Sequence, residues 1–117
     1  MPTPKGAADV AARTVEATPP TFDRVLVPSW SPAAARELQS MAPELAARAL
    51  DLVARVASGR AGGVGARVKK LKGTDELWST RLGIGHRLLF RFEPERGQLG
   101  IEHLIARKDL DRFLGRT

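Results

Sequence analysis

The sequence KKLKGTDELWSTRLGIGHRLLFR, residues 69–91, decides the fold and carries much of the charge of this 117-residue chain. Between residues 60 and 92 there are eight Lys or Arg and only two acids, which leaves +6, the net charge of the whole chain. Such a concentration of positive charge indicates a polyanionic or acidic partner. The alternative is that these cations are simply solvated or paired with nearby acids. The acids available for pairing are Asp75, Glu93, Glu95 and Glu102.

Three strands follow from residue alternation and glycine spacing. A strand over 77–82 leads through Gly83-Ile84-Gly85 into a strand over 86–92, and a three-residue turn with two glycines is typical of a hairpin. Pro94 and Gly97 predict the next turn, so 99–106 forms the third strand. Residues 107–114 are expected to form a closing turn or helix, because their apolar residues recur at helical spacing.

The segment before this meander predicts one strand and two helices. A strand over 22–27 should lie at a sheet edge or end early, because Pro28 cannot donate a ladder hydrogen bond. Ser31-Pro32 predicts the start of a helix over 32–40, with the serine as N-cap. A second helix runs from Pro43 to about residue 58, where Gly59 ends it. Its apolar face comprises Leu45, Ala49, Leu52, Val53 and Val56.

This order predicts an α+β fold, a small antiparallel sheet with a helical pair on one face. The domain should span 21–117. Residues 1–20 lack large apolar side chains and are expected to form a disordered or loosely ordered tail. The glycine-rich stretch 60–67 lacks the spacing of a phosphate-binding loop, and we interpret it as a connector.

Composition excludes several classes of protein. There is no cysteine, which rules out disulfides and thiolate chemistry, and two histidines fall short of a zinc set. We therefore expect no metal and no cofactor. No apolar run is long enough to span a membrane and no signal peptide is evident, so a cytoplasmic protein without a membrane partner is expected.

Strand alternation places a group of basic side chains together. Arg87, Leu89 and Arg91 share one strand face, while His86, Leu88, Phe90 and Phe92 share the face that should pack on the helices. If the sheet is a simple meander, Arg81, Arg87 and Arg107 converge on the helix-free face. Clustered guanidinium groups suit bidentate capture of a phosphate. Three lysines just ahead of the sheet, Lys69, Lys70 and Lys72, could reach its rim.

Aromatic residues and histidines supply further candidates. Trp78 could stack on a base, although packing in the core is the alternative. His103, expected on one side with Ile101, Ile105 and Arg107, could transfer a proton near neutrality; a hydrogen-bonded core histidine is its alternative. His86 is expected to be structural, because its alternation places it toward the helices.

Four pieces of the sequence, taken in order over residues 69–114, resemble the RelE/ParE toxin superfamily. These are the lysine-rich KKLKG, the LWSTR strand, the HRLLFRF strand and the ARKD run after the last strand. The resemblance implies a small cytoplasmic toxin of a type II toxin–antitoxin system, held by a cognate antitoxin. In RelE-like members the toxin acts on the ribosome and cuts mRNA without a metal, the RNA 2′-hydroxyl attacking the adjacent phosphate.

Carried over by position, the resemblance implies roles for individual residues. Arg81, Arg87 and Arg107 would hold the scissile phosphate, with His103 as the only evident proton-transfer group. RNA contacts would come from Lys69, Lys70, Lys72, Trp78, Arg91 and Lys108.

The chain also departs from the pattern of the ribonuclease members. Phe113 stands where they often have tyrosine, His86 where an aromatic is usual, and Ser79-Thr80 where some active members have lysine. ParE-like members share the scaffold but bind DNA gyrase without catalysis. A gyrase inhibitor and a degenerate, inactive scaffold are therefore the alternatives to an mRNA endoribonuclease.

Overall fold

A computed structural model describes residues 14–15, 24–58, 68–71, 76–106 and 108–109. Two helices, α1 (Pro32–Ser40) and α2 (Pro43–Ala57), lie on one sheet face. The strands are β1 (Thr14–Val15), β2 (Val27–Trp30), β3 (Val68–Leu71), β4 (Trp78–Leu82), β5 (His86–Glu93) and β6 (Gln98–Ala106), with a 3₁₀ turn at Pro94–Arg96. Their order across the sheet is β1-β3-β4-β5-β6-β2. The predicted α+β fold is confirmed.

The antiparallel meander of β4, β5 and β6 lies where the alternation predicted it, within a residue at each end. The turn between β5 and β6 closes on Gly97, whose φ of +66° is a left-handed conformation that glycine adopts without strain. Of the predicted closing segment 107–114, only residues 108–109 lie within the described part of the chain.

The first large strand differs from its prediction in position and direction. It was expected over 22–27, but β2 spans Val27–Trp30 and pairs parallel to β6. Leu26 is fully buried, yet its N–H donates to the carbonyl of Ala57 at the end of α2 (2.8 Å), so the ladder begins one residue later. Pro28 sits within this strand, and it is tolerated because β2 is a sheet edge, as the proline predicted.

Two strands were not predicted, β3 and the edge strand β1 beside it. The lysines expected just ahead of the sheet belong in part to β3, in which Val68 and Leu71 are buried and face opposite sides. Apolar residues three apart do not alternate, so the pattern gave no strand signal there. Beside β3, Thr14 and Val15 pair with Leu71 and Lys70. The predicted tail over 1–20 otherwise lies outside the described residues, as does the connector 60–67.

Both helices begin as predicted. The Ser31 hydroxyl accepts the N–H of Ala34 at 3.0 Å and caps α1, and a proline opens each helix. In α2, Ala49, Val53 and Val56 are buried, as the 3.6-residue periodicity predicted. None of the described helices is long and apolar enough to cross a membrane.

The sheet separates two apolar clusters. The larger one packs α1 and α2 on residues that include Leu88, Phe90 and Leu104. The smaller cluster contains no residue of α1 or α2. It consists of Leu71, Leu77 and Leu89, with the partly buried Ile105 packed against them. Leu88 and Leu89 thus point to opposite sides, which confirms the predicted alternation along β5.

A β-bulge changes the alternation within β6. Leu89 pairs with His103 and Phe90 with Ile101, so Glu102 is an extra residue between two regular pairs. Ile101 was expected on the same side as His103. That prediction was wrong, because the bulge places Ile101 in the helix-side core, while His103 and Ile105 share the register of Leu89 and Arg87.

Candidate functional site

The sheet face opposite α1 and α2 carries two adjacent rows of functional side chains. In one row, Arg81 of β4 pairs with Arg87 of β5, and Arg87 pairs with Ile105 of β6. In the next, four residues follow one another across four strands: Lys69, Ser79, Leu89 and His103. Residues directly opposite in a ladder project from the same face, with neighbouring strands about 4.8 Å apart. Register therefore brings two guanidinium groups, one ammonium group and one imidazole to a single face.

The two arginines differ in their surroundings. Arg81 is exposed and takes part in no ion pair within the described residues, while Arg87 is half-buried. Arg107, the third predicted member, is outside the described part of the chain, as is Lys72. The cluster as described is a pair, and its three-arginine form stays a prediction.

Other predicted RNA-binding cations are held by acids. Arg91 Nε lies 3.6 Å from Glu102 Oε2, and Lys70 Nζ lies 3.3 Å from Glu76 Oε1. Lys70 also pairs in register with Trp78 on the helix side, so of β3's two lysines only Lys69 shares the face of Arg81. For Arg91 and Lys70 the structure thus favours the alternative of local pairing. Lys108 is exposed after β6.

Trp78 is a core residue. It is 6% exposed, belongs to the helix-side cluster and meets Phe92 edge to face with ring centroids 5.5 Å apart. A ring buried on the helix side has no free face on which a base could stack, so the packing alternative is the one observed. His86 is half-buried on that same side, which agrees with its predicted alternation.

His103 lies where β6 extends beyond β2, and its ring contacts helix α1. β2 pairs with β6 only as far as Ile101, and α1 covers the edge beyond it. The Glu37 carboxylate accepts the N–H of Leu104 through Oε1 at 2.8 Å, while its Oε2 is 3.4 Å from Nδ1 of His103. Ser31 fastens the same edge, because its hydroxyl donates to the Glu102 carbonyl at 2.7 Å.

This edge borders an open groove of about 920 Å³ between α1 and β6. Apolar side chains such as Met41 and Leu45 line it together with His86, His103 and Arg36. His103 therefore lies on the wall of this groove. Within the described residues no group of three His, Cys, Asp or Glu is placed to hold a metal ion.

Sequence reasoning missed two residues of the site, one on α1 and one on β4. Glu37 was not a candidate, because nothing in the sequence relates position 37 to position 103 before the topology is known. Ser79 was noted only as a departure from a family pattern, yet it is fully buried and its hydroxyl has no hydrogen-bond partner among the described residues. Its position opposite Leu89 follows from hairpin register, which was the available signal.

No protein-family model matches the chain, and no curated protein does. Solved structures do match. The toxin–antitoxin complex RelBE2 from Mycobacterium tuberculosis aligns with a TM-score of 0.62 and 22% identity, covering 77% of this chain and 100% of that one. The archaeal RelE–RelB complex from Pyrococcus horikoshii OT3 gives 0.60 and 21%, covering 71% and 96%.

The RelB–RelE antitoxin–toxin complex from Methanococcus jannaschii aligns with a TM-score of 0.59 and 12% identity, covering 72% of this chain and 95% of that one. At these identities the likeness concerns the backbone, and it spans nearly all of each matched chain. The resemblance inferred from residues 69–114 is thereby confirmed at the level of structure: this chain has the RelE toxin fold.

Proposed function

We propose that this chain is the toxin of a type II toxin–antitoxin system and that it acts as a ribosome-dependent, metal-independent mRNA endoribonuclease. The observation that supports this best is the direct cross-strand pairing of Arg81 with Arg87 on the sheet face opposite α1 and α2. A fold alone supports many functions, so the proposal depends on this site rather than on the scaffold.

Two arginines side by side suit a bridging phosphate. Each guanidinium presents planar donors that match phosphate oxygens, and a bound anion offsets the repulsion between them. Lys69 is three strand spacings, or about 14 Å, from His103. It would contact the RNA backbone at a nucleotide away from the cleaved bond. Arg107, which follows β6, would complete the set by position.

The chemistry we propose is intramolecular transesterification. The 2′-hydroxyl of one nucleotide attacks the phosphate on its 3′ side, and charge builds up on the phosphate oxygens. Fixed guanidinium donors stabilise that charge in the transition state. His103 would take the hydroxyl proton, since by register it is a diagonal neighbour of Arg87 on this face. The products are a 2′,3′-cyclic phosphate and a 5′-hydroxyl.

The proposal includes a protein partner and a place in the cell. The three matched structures are complexes of a toxin with its antitoxin, which supports a cognate antitoxin for this chain as well. Ribosome and mRNA would be its targets in the cytoplasm.

Two parallel assays test the proposal. Purified protein is added to ribosomes programmed with a defined mRNA, and 5′ ends are mapped; in parallel it is added to DNA gyrase and supercoiling is measured. We expect mRNA cleavage that persists in chelator and is lost in the double variant Arg81→Ala/Arg87→Ala. Inhibited supercoiling with intact mRNA would instead identify a gyrase inhibitor. Inactivity in both assays would identify an inactive scaffold.

A further inference from the structure

We infer that Glu37 is a positioning residue that holds the His103 imidazole in the Nδ1–H tautomer, which makes Nε2 the ring nitrogen that can accept a proton. The role of this contact in catalysis rests on the proposed function, whereas the effect of Glu37 on the His103 tautomer does not. Both contacts come from one carboxylate, with Oε1 at 2.8 Å from the Leu104 nitrogen and Oε2 at 3.4 Å from His103 Nδ1.

The Leu104 contact fixes the carboxylate. Backbone N–H groups of a strand do not rotate, so Glu37 Oε1 is anchored to the residue that follows His103. The second oxygen, Oε2, faces the imidazole at 3.4 Å from Nδ1. Glu37 and His103 are both about one-third exposed, at 32% and 30%, so water competes only in part for this contact.

The chemistry of the pair selects one tautomer. A carboxylate only accepts hydrogen bonds, so the nitrogen facing Glu37 must carry the proton. In a neutral imidazole the other nitrogen is then the acceptor. Catalytic and metal-binding histidines are commonly oriented in this way by a carboxylate on the far nitrogen.

The groove beside the ring also contains charged or titratable groups from the neighbouring elements. Arg36 of α1, His86 of β5 and Asp109 beyond β6 line the same groove. Among the described acids, Glu37 is the one that lies within hydrogen-bond distance of a ring nitrogen of His103.

In the proposed reaction His103 Nε2 takes the proton of the RNA 2′-hydroxyl as the 2′-oxygen bonds to phosphorus. The bond from phosphorus to the 5′-oxygen breaks, and that oxygen takes a proton from water. His103 then returns its proton to solvent. Glu37 neither gains nor loses a proton; it holds the ring, whereas a purely structural Glu37 would only fasten α1 to the edge of β6.

Nitrogen-15 NMR of the histidine rings in the full chain tests the inference directly. At about pH 8.5, above the ordinary titration range of imidazole, we expect His103 to show a protonated Nδ1 and an unprotonated Nε2. His86, the other histidine of the chain, serves as the internal reference. An Nε2–H tautomer for His103 in the unaltered protein would overturn the inference.

Glu37→Gln sharpens the test because it is nearly isosteric. Its amide oxygen can still accept the Leu104 N–H, while its amide nitrogen then faces Nδ1 as a donor, so the His103 tautomer should invert. Glu44→Gln, an exposed change in the first turn of α2, should leave it unchanged. An unchanged Leu104 amide resonance verifies that the edge is intact; an unaltered tautomer in Glu37→Gln would contradict the inference.

Activity supplies the second readout. If the unaltered protein cleaves mRNA, Glu37→Gln should lower the cleavage rate roughly 10²–10⁴-fold, the range for general acid–base catalysis, with ribosome binding unchanged. Inversion of the tautomer without loss of cleavage would overturn the positioning role. If the unaltered protein cleaves nothing, the proposed function fails, while the tautomer measurement still decides how Glu37 acts on the ring.

Discussion

Arg81 and Arg87 lie directly opposite each other across the β4–β5 ladder, on the sheet face opposite α1 and α2. Like charges in this arrangement destabilise a sheet by about 0.2–1 kcal/mol. Under the proposed function, a bound phosphate would offset this repulsion. Binding of an anion to this pair can then be measured through the stability of the fold, without an assay of activity.

An anion should therefore stabilise the fold through these two residues. Inorganic phosphate or a nucleoside monophosphate is expected to raise the melting temperature. At a concentration of ten times its Kd, it should raise the free energy of unfolding by about 1.4 kcal/mol. Arg81→Ala and Arg87→Ala should each lose most of this response. Arg48→Ala, an exposed change on α2, should keep it. Equal responses in all three variants would indicate nonspecific charge screening instead.

Loss of one arginine should also relieve toxicity. Expression without an antitoxin is expected to arrest growth, and Arg87→Ala should weaken phosphate binding by about 1.5–3 kcal/mol, or roughly 10–100-fold. Colony counts after induction, together with mapped mRNA cleavage, measure this effect. Arg48→Ala again serves as the matched control, and a protein equally toxic with either change would remove Arg87 from the site.

His103→Ala separates the two mechanisms. If His103 transfers the proton, the change should abolish mRNA cleavage while ribosome binding, measured by co-sedimentation, persists. A gyrase inhibitor would be almost unaffected, because binding another protein needs no proton transfer. Unchanged cleavage in His103→Ala would show that the reaction proceeds without this residue.

Ser31→Ala should destabilise the fold more than an ordinary cap mutation. Its hydroxyl accepts the Ala34 N–H and donates to the Glu102 carbonyl, so one change removes a helix cap and a helix–strand bond. We expect a loss of about 2–3 kcal/mol, a cap and a part-buried hydrogen bond together. Denaturant titration measures this. Ser40→Ala, whose exposed hydroxyl donates to Arg36 within α1, should cost under about 0.5 kcal/mol.

Ser79→Ala should have the opposite sign. The Ser79 hydroxyl is fully buried and has no hydrogen-bond partner among the described residues, and an unsatisfied buried hydroxyl costs about 1–3 kcal/mol. Its removal should leave stability unchanged or raise it by about 1 kcal/mol. Ser29→Ala, at an exposed position of β2, controls for the loss of a serine as such. A clear loss of stability in Ser79→Ala would mean that the hydroxyl is bonded in solution.

Local patterns predicted the parts of this fold that depend on local physics. The caps at Ser31 and Pro32, the apolar stripe of α2 and the glycine turn after Leu82 each specify their element through neighbouring residues. The pairing of Arg81 with Arg87 follows from a hairpin, whose register is set by its own turn.

What escaped prediction depends on contacts between distant residues. The direction of β2 is set by β6, about seventy positions later along the chain, and the Glu37–His103 contact spans 66 positions. The bulge at Glu102 escaped for a different reason, because alternation assumes a regular ladder. Trp78 has a side chain suited equally to a base or a core, and only the packing of the helices decides which.

Because of the bulge, β6 should tolerate the deletion of one residue at Glu102 better than a regular strand tolerates a deletion at its other positions. Deleting one residue inside β5 would move every later side chain to the other face, exchanging arginines for core leucines. Deleting Glu102 would instead join Ile101 to His103, which already face opposite sides, and would restore a regular ladder at the loss of the Arg91 ion pair. Among homologous sequences, single-residue gaps in this strand should therefore gather at this position.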